Sequence, residues 1–138
     1  MQRYRLFDHT ADMGVEIFGA TLNELFVNGA YALFDLLTDL DKVRQTVERN
    51  VTATGGDLSD LWVNYLRECL DLWNGEGLLL VNCAIVSIDQ EQVMTTMGGE
   101  PFDYARHHIK QEIKSVTYHQ ASVLRTSKGW TGRVILDV

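Results

Sequence analysis

The sequence predicts an α+β fold, with a mixed β-sheet and two amphipathic helices packed on one face as a two-layer sandwich. Two segments of the first half carry apolar residues at helical spacing, and the second half is rich in segments that alternate between apolar and polar residues. There is one proline among 138 residues, which leaves little room for long irregular linkers. A chain of this length is expected to form a single domain over residues 1–138.

The first helix is predicted within ATLNELFVNGAYALFDLLTD. Thr21 followed three residues later by Glu24 is a capping box, a pattern that satisfies free backbone N–H groups of the first turn. Apolar or small side chains then recur with a period of 3.6 residues, so one stripe of the helix must be buried. The stripe consists of Leu22, Leu25, Phe26, Gly29, Ala30, Leu33, Phe34 and Leu37.

The second helix is predicted within DLSDLWVNYLRECLDLWNGEG. Asp57 is the expected N-cap and Gly75 the expected glycine just past the C-terminus. Its buried stripe has the same internal spacing as that of the first helix. It consists of Leu58, Leu61, Trp62, Tyr65, Leu66, Cys69, Leu70 and Trp73.

The strands are predicted from alternation. RYRLFD and VEIFG form either a hairpin with a polar cluster at its tip or two strands separated by a connection. QTVERNVTATG follows between the helices, and the second half contributes LLLVNCAIVSID, QVMTTMGG, HIKQEIKSVTYHQASVLR and WTGRVILDV, with GGEPFDYARHH as a loop. Five to seven strands are therefore expected.

Charge and cysteine usage limit the classes of function. The net charge is −7 and the pI about 4.9, and such a surface repels phosphate backbones, so direct nucleic-acid binding is not expected. A protein partner or a cation suits it better. Cys69 and Cys83 lie in segments predicted as core and belong to no metal-binding or disulfide pattern. With no apolar signal segment at the N-terminus and no window of about 18 apolar residues, a cytoplasmic protein without a membrane span is expected.

Polar residues gather at both ends of the chain. Asp8, His9, Thr10 and Asp12 crowd the stretch before the second strand, and Asp137 with the carboxylate of Val138 ends the last one. Each group alone has a plain interpretation, as a turn capped by its own side chains or as a solvated terminus. If the first loop and the last strand meet, however, Asp12, Asp137 and Val138 form an all-oxygen set that suits a hard cation such as Ca²⁺ or Mg²⁺.

Two later segments are also rich in polar residues. EPFDYARHH carries the neighbouring pair His107 and His108, whose spacing does not direct two imidazoles at one metal ion, so the role of the pair stays open. EIKSVTYH carries Lys114, which alternates with apolar residues and is typical of a lysine at the rim of a core.

Four motifs, DHTADMG, GEPFDYARHH, EIKSVTYH and VILDV, resemble in order and spacing those of the archease family. The resemblance covers essentially the whole chain, with Ser115 replacing an expected alanine. It implies an archease-like sandwich and a non-catalytic activator of the RtcB-type RNA ligase, which joins tRNA halves after intron removal. Such an activator promotes guanylylation and repeated turnover of the ligase, and broadens its use of nucleotides.

The resemblance also implies the site residues. Asp12 and Asp137, with a terminal oxygen of Val138, would bind a divalent metal ion, for which Ca²⁺ is expected first and Mg²⁺ or Mn²⁺ are alternatives. Lys114 would take part in activating the ligase, and His9 and Thr10 would shape the loop around the metal. The sequence does not indicate an oligomeric state, the RNA substrates of the ligase or the lifetime of the complex.

Three other functions remain open from the sequence. The metal site could serve a phosphoester hydrolase with His9 or His119 as the base. The protein could be a general chaperone or modulator of RNA-modifying enzymes. A purely structural domain is the third alternative, although it leaves the acid-rich chain ends without a role.

Overall fold

The structure is a computed structural model that describes residues 2–7 and 11–138. Seven strands and two helices follow one another within these residues, together with a short 3₁₀ turn at Leu40–Lys42. In chain order they are β1 (Tyr4–Phe7), β2 (Met13–Gly19), α1 (Leu22–Leu37), β3 (Val47–Thr54), α2 (Leu58–Glu76), β4 (Leu78–Ile88), β5 (Gln92–Pro101), β6 (Ser115–Thr126) and β7 (Gly129–Asp137).

The strands form two sheets, a four-stranded sheet of order β1-β2-β7-β6 and a three-stranded sheet of order β3-β5-β4. The α+β class with two helices is confirmed, and β1 and β2 form the hairpin alternative, with Phe7 opposite Gly14. The single mixed sheet is replaced by two sheets whose recorded strand pairs are all antiparallel. The reason is insertion of later strands: β5 lies between β3 and β4, and β7 lies between β2 and β6.

Both helices are shared by the two sheets. The α1 helix contacts β2 of one sheet and β4 of the other, and α2 contacts β6 and β3 in the same way. On α2, the thiol of Cys69 lies 3.9 Å from the sulfur of Met97 in β5, while Trp62 faces Gly132 of β7. The helices therefore do not cover one face of one sheet, as predicted, but bury apolar side chains against both.

The helix boundaries follow from capping. The Thr21 hydroxyl accepts the N–H of Glu24 at 3.1 Å, and the Asp57 carboxylate accepts the N–H of Asp60 at 2.8 Å, so both predicted N-caps are confirmed. At the other end of α2 the capping glycine is Gly77, with φ 68°, and not Gly75. A left-handed backbone at this position favours glycine, which has no Cβ atom to clash.

The predicted apolar stripes become the core. In α1 the buried residues are Leu25, Phe26, Asn28, Gly29, Ala30, Ala32, Leu33, Phe34 and Leu37. In α2 they are Leu61, Trp62, Val63, Tyr65, Leu66, Cys69 and Leu70. Cys69 is buried and Cys83 is half-buried, and both are free thiols. The periodicity therefore identified most of the core correctly, because the stripe is set by helix geometry.

Trp62 joins α1, α2 and β7. Its side chain has no exposed surface, its ring meets Phe26 edge to face at 5.1 Å, and its indole N–H donates to the carbonyl of Arg133 at 3.3 Å. The ring fits because two glycines face it. A Cβ atom would lie 2.8 Å from the ring at Gly29 and 2.6 Å from it at Gly132.

Two strand boundaries differ from those predicted. The β5 strand continues through Pro101, so the glycines assigned to a loop lie in a strand. The β6 strand begins at Ser115, and the alternation before it comes from Ile113, which is fully buried without belonging to the ladder. Within β6 the register shifts between Thr117 and Ser122, so residues 118–121 form a bulge where β7 contributes only one residue, and Gln120 in this bulge has φ 56°.

The described ranges contain no helix that is both long and apolar enough to cross a membrane.

The packing around Trp62 predicts opposite effects for two glycine substitutions. Gly132→Ala should lower the free energy of unfolding by about 1–3 kcal/mol, because the added methyl group overlaps a ring that has no room to move. Gly75→Ala should raise it by about 0.5–1 kcal/mol, because the site is open and alanine favours the helix. Urea unfolding followed by tryptophan fluorescence measures both, and equal effects of the two changes would contradict this packing.

Candidate metal centre

The two predicted ligand aspartates lie at the same end of the four-stranded sheet. The β2 and β7 strands are antiparallel, with Met13 opposite Leu136 and Gly14 opposite Ile135. Continued by one residue, this register sets Asp12 opposite Asp137. The first loop and the last strand therefore meet, which is the condition that the sequence left open.

Strand alternation sets the face on which they lie. Val15 of β2 and both Val134 and Leu136 of β7 belong to the core. Because successive side chains of a strand point to opposite faces, Asp137 shares the other face with Ile135. Asp12 directly precedes β2, and continuing the alternation from Gly14 assigns it to the same face. On this face, Phe7 lies against Gly14, and the guanidinium of Arg133 stacks 4.2 Å above the Phe7 ring.

The carboxylates of Asp12 and Asp137 are half-buried, and neither forms a hydrogen bond or ion pair with another described residue. Their oxygens are thus not committed within that part of the chain. No group of three His, Cys, Asp or Glu side chains suited to a metal is found there either. A cation at this end would therefore also use the terminal carboxylate of Val138, water or a partner. The oxygen-only donor set fits a hard divalent ion.

Asp8, His9 and Thr10 lie outside the described residues. The roles predicted for His9 and Thr10, in shaping the loop next to Asp12, therefore stay predictions.

The backbone of Lys114 is hydrogen-bonded to the backbone of Asp137. Its N–H donates to the carbonyl of Asp137 at 2.7 Å, and its own carbonyl accepts the side-chain N–H of Asn74 at 3.4 Å. Ser115 is the register partner of Asp137, so Lys114 stands opposite Val138. The lysine is exposed and has no ion pair with the residues the structure describes. Three adjacent strands thus bring Asp12, Asp137, Val138 and Lys114 to one end of the sheet.

The segment EPFDYARHH holds a partly buried charged cluster that the sequence analysis did not predict. Glu100 is only 3% exposed, and one of its oxygens accepts the Arg106 guanidinium at 2.7 Å and lies 2.6 Å from Nε2 of His107. Nδ1 of His107 accepts the backbone N–H of Asp103 at 2.8 Å. The proton of the neutral ring is therefore on Nε2 and is donated to Glu100. We call these three residues, Glu100, Arg106 and His107, the charged cluster.

The two histidines of the pair have different roles. Both ring nitrogens of His107 are engaged, so it is not available as a metal ligand. His108 is exposed, and its carbonyl accepts the Thr38 hydroxyl at 2.7 Å. The sequence signal for the cluster was a glutamate followed by an arginine and a histidine six and seven residues later, at the point where a strand leads into a loop.

Opposing effects set the charge of the cluster. Burial alone raises the pKa of Glu100, but hydrogen bonds from Arg106, the backbone N–H of Arg44 and His107 outweigh it, and the net pKa is lowered. The hydrogen bond to Glu100 is also the main reason that the pKa of Arg106 is raised. The glutamate is therefore ionised and the arginine protonated at neutral pH, and the pair ties the loop to the three-stranded sheet.

Comparison with known proteins identifies the family. A sequence model of the Archease protein family (MTH1598/TM1083) matches residues 4–138. The chain belongs to the archease family. Protein archease of Methanosarcina mazei is 32% identical over 141 residues, which cover 99% of this chain and 97% of that protein. Protein archease of Methanopyrus kandleri is 35% identical over 134 residues, which cover 95% of this chain and 96% of that protein.

Solved structures of archease proteins share the fold. The solution structure of Methanobacterium thermoautotrophicum protein 1598 superposes with a TM-score of 0.83 at 31% identity, over the whole of both chains. The crystal structure of an archease from Thermotoga maritima, described as a possible chaperone, gives a TM-score of 0.63 at 20% identity, covering 96% of this chain and 94% of that one. The family resemblance noted in the motifs is confirmed.

The lowered pKa of Glu100 predicts how stability depends on pH. Its stabilising effect is complete above the ordinary glutamate pKa of 4.5 and is lost as the pH falls through the lower folded-state value. At pH 7, Glu100→Gln should be less stable than the wild type, because the amide removes the shorter and more buried of the two ion pairs of Arg106 and leaves it only the exposed Asp103. The difference in unfolding free energy between the two proteins should narrow as the pH is lowered from about 5 to about 3, which is the range over which carboxylates titrate.

Urea unfolding across this pH range provides the measurement. Glu91→Gln, in the exposed turn between β4 and β5, is the matched control and should follow the wild-type curve. A constant difference between wild type and Glu100→Gln at all pH values would contradict the ionised state of Glu100.

Proposed function

We propose that this archease-family protein is a non-catalytic activator of an RtcB-type tRNA-splicing RNA ligase, acting in tRNA splicing and RNA repair. It would promote guanylylation and multiple turnover of the ligase and broaden its use of nucleotides, through an acidic divalent-metal site. Membership in the family supports the partner class. The observation that supports the mechanism is the strand register that brings Asp12, Asp137 and the Val138 carboxylate together beside Lys114.

Asp12, Asp137 and the terminal carboxylate would hold the cation. Ca²⁺ is expected because it accepts many oxygen ligands in flexible geometry, and Mg²⁺ or Mn²⁺ are the alternatives. A bound divalent ion supplies positive charge that stabilises phosphate oxygens during phosphoryl transfer. The two side chains and the terminus leave ligand positions open, so an oxygen of the ligase or its nucleotide fits beside the protein's own.

Lys114 would act next to the cation without binding it. Its ammonium group is exposed, and its backbone is fixed by the bond from its N–H to Asp137. A lysine presents a compact charge on a flexible stem, which suits contact with a nucleotide phosphate or with an acidic residue of the ligase. Because its position depends on β7, the lysine and the two aspartates would reach the ligase as one unit.

The description of the Thermotoga maritima protein as a possible chaperone supports a broader alternative. A chaperone or modulator of RNA-modifying enzymes would bind several such proteins and would not require the carboxylates for turnover. Loss of ligase stimulation in a single aspartate variant separates the two functions.

Asp12→Ala should abolish activation of the ligase. We expect the wild type to raise multiple-turnover RNA ligation and the guanylylated fraction of a matched RtcB-type ligase, and Asp12→Ala to lower this stimulation by tenfold or more, on the order of the loss of a metal ligand. Circular dichroism should show an intact fold. Glu91→Ala is the acidic control at the far end of the three-stranded sheet.

Full stimulation by Asp12→Ala would refute the acidic-site mechanism. Metal-dependent phosphoester hydrolysis by the purified protein, lost in Asp12→Ala, would instead establish the hydrolase alternative.

Metal binding and activation should separate in a second pair of variants. Asp137→Asn should weaken Ca²⁺ binding by about tenfold or more, because one anionic ligand is lost. Lys114→Ala should leave Ca²⁺ binding unchanged or tighter, yet reduce stimulation of the ligase. Titration calorimetry with Ca²⁺ and the ligation assay measure the two properties, and loss of Ca²⁺ binding in Lys114→Ala would exclude the role assigned to the lysine.

A further inference from the structure

Three aromatic side chains form a row that runs from the end of α2 to the surface. Trp73 meets Phe102 at a ring-centroid distance of 5.6 Å, and Phe102 meets Tyr104 at 6.2 Å, both close to edge to face. Trp73 and Phe102 are half-buried, whereas Tyr104 is 92% exposed. We call Trp73, Phe102 and Tyr104 the aromatic patch.

The loop that carries Tyr104 is held from both sides. The Phe102 N–H donates to the carbonyl of Gly77 at 2.8 Å, and the carbonyl of Asp103 accepts the N–H groups of Arg106 and His107 at 3.0 and 2.8 Å. The Asp103 carboxylate accepts the N–H of Ala105 at 3.0 Å. Tyr104 therefore stands at the apex of a turn whose backbone is fixed, so a partner that binds it need not order the loop.

The charged cluster helps to fix the backbone of this loop. Removing Glu100 from water carries a large desolvation cost, and apolar residues of the same volume often give equal stability. The three hydrogen-bonded groups instead fix the path of the chain from β5 into the loop. An exposed tyrosine contributes little to the protein's own folding, so holding it in a defined position favours contact with another molecule.

The aromatic patch adjoins the candidate metal centre. Asn74 follows Trp73 on α2, and its side chain donates to the carbonyl of Lys114 at 3.4 Å. The Lys114 N–H in turn donates to the carbonyl of Asp137. The Trp73 end of the patch is thus connected by hydrogen bonds to the backbone of the carboxylate site, so one large protein partner is able to engage both.

The charges around the patch favour a protein as the occupant. The cation of the loop itself is paired with acids, since Arg106 bonds Glu100 at 2.7 Å and Asp103 at 3.1 Å, whereas Lys114, which is reached through Asn74, has no ion pair with a described residue. The net charge of −7 nevertheless repels a phosphate backbone over the protein as a whole, and nucleic-acid binding depends on an excess of positive charge. Aromatic side chains in a rigid setting are instead characteristic of the residues that dominate protein interfaces.

We infer that the aromatic patch is a docking surface for the RNA ligase, with Tyr104 as its anchor. The inference rests on the proposed function and divides it into two parts. Tyr104 provides affinity by entering an apolar recess of the ligase whose rim is basic, while Asp12, Asp137 and Lys114 act on guanylylation. Affinity and maximal stimulation are therefore set by different residues.

The test compares full-length variants with a matched RtcB-type ligase in a direct binding assay and in multiple-turnover ligation. Tyr104→Ala should raise the dissociation constant and the half-maximal concentration by about 10- to 100-fold, the range of an interface anchor. At saturating concentration it should stimulate as well as the wild type, whereas Asp12→Ala should bind but not stimulate. Leu124→Ala, at a 61% exposed apolar residue near the C-terminal end of β6, is the control and should change neither property.

The outcomes separate the inference from the proposed function. Wild-type affinity in Tyr104→Ala would overturn the docking surface and leave the activator function standing. Tyr104-dependent binding of the ligase without stimulation by the wild type would support the docking surface and overturn the activator function. Absence of any wild-type binding to the ligase would overturn the docking surface, as would Tyr104-dependent binding of a single-stranded RNA oligonucleotide or Tyr104-dependent self-association in sedimentation.

Discussion

The insertion of β7 between β2 and β6 is the constraint on which the rest of the molecule depends. Its register is fixed by Val134 and Leu136, which must face the core, since a slip of one residue would turn both toward the opposite face. The same register determines which residues stand opposite Asp137. The apolar core therefore fixes the relative positions of groups that do not belong to it, on strands that are distant in sequence.

The molecule has two kinds of charged site, one on each sheet. In the charged cluster, Glu100 has its partners inside the protein, so its charge serves to fix the path of a loop. At the end of β2 and β7, the carboxylates have no partner among the described residues and stand where another molecule can reach them. A carboxylate that already has hydrogen-bond partners within the protein serves its structure, whereas one without a described partner is suited to a ligand. Both sites are rich in acids, so composition alone does not separate them.

The helices were predictable because their evidence is local: period, N-cap and apolar stripe all lie within about 20 residues of sequence. The division into two sheets was not, because whether β5 and β7 insert between earlier strands is decided by long-range packing. Gly77 was missed in favour of Gly75 because both are glycines and only φ separates them. The motifs indicated Asp12, Asp137 and Lys114, but their proximity needed the register, and the charged cluster needed side-chain geometry.

The bulge in β6 also limits edge-to-edge pairing between copies of the chain. An edge strand offers a row of unpaired N–H and C=O groups that can align with the edge of a neighbouring molecule. In β6 this row is interrupted by residues 118–121, and Gln120 bends the backbone through a conformation that a flat ladder does not allow. Continuous pairing along this edge is thereby disfavoured. The start of β6 next to Lys114 and Asp137 can therefore remain an open edge with less tendency to pair with a second molecule.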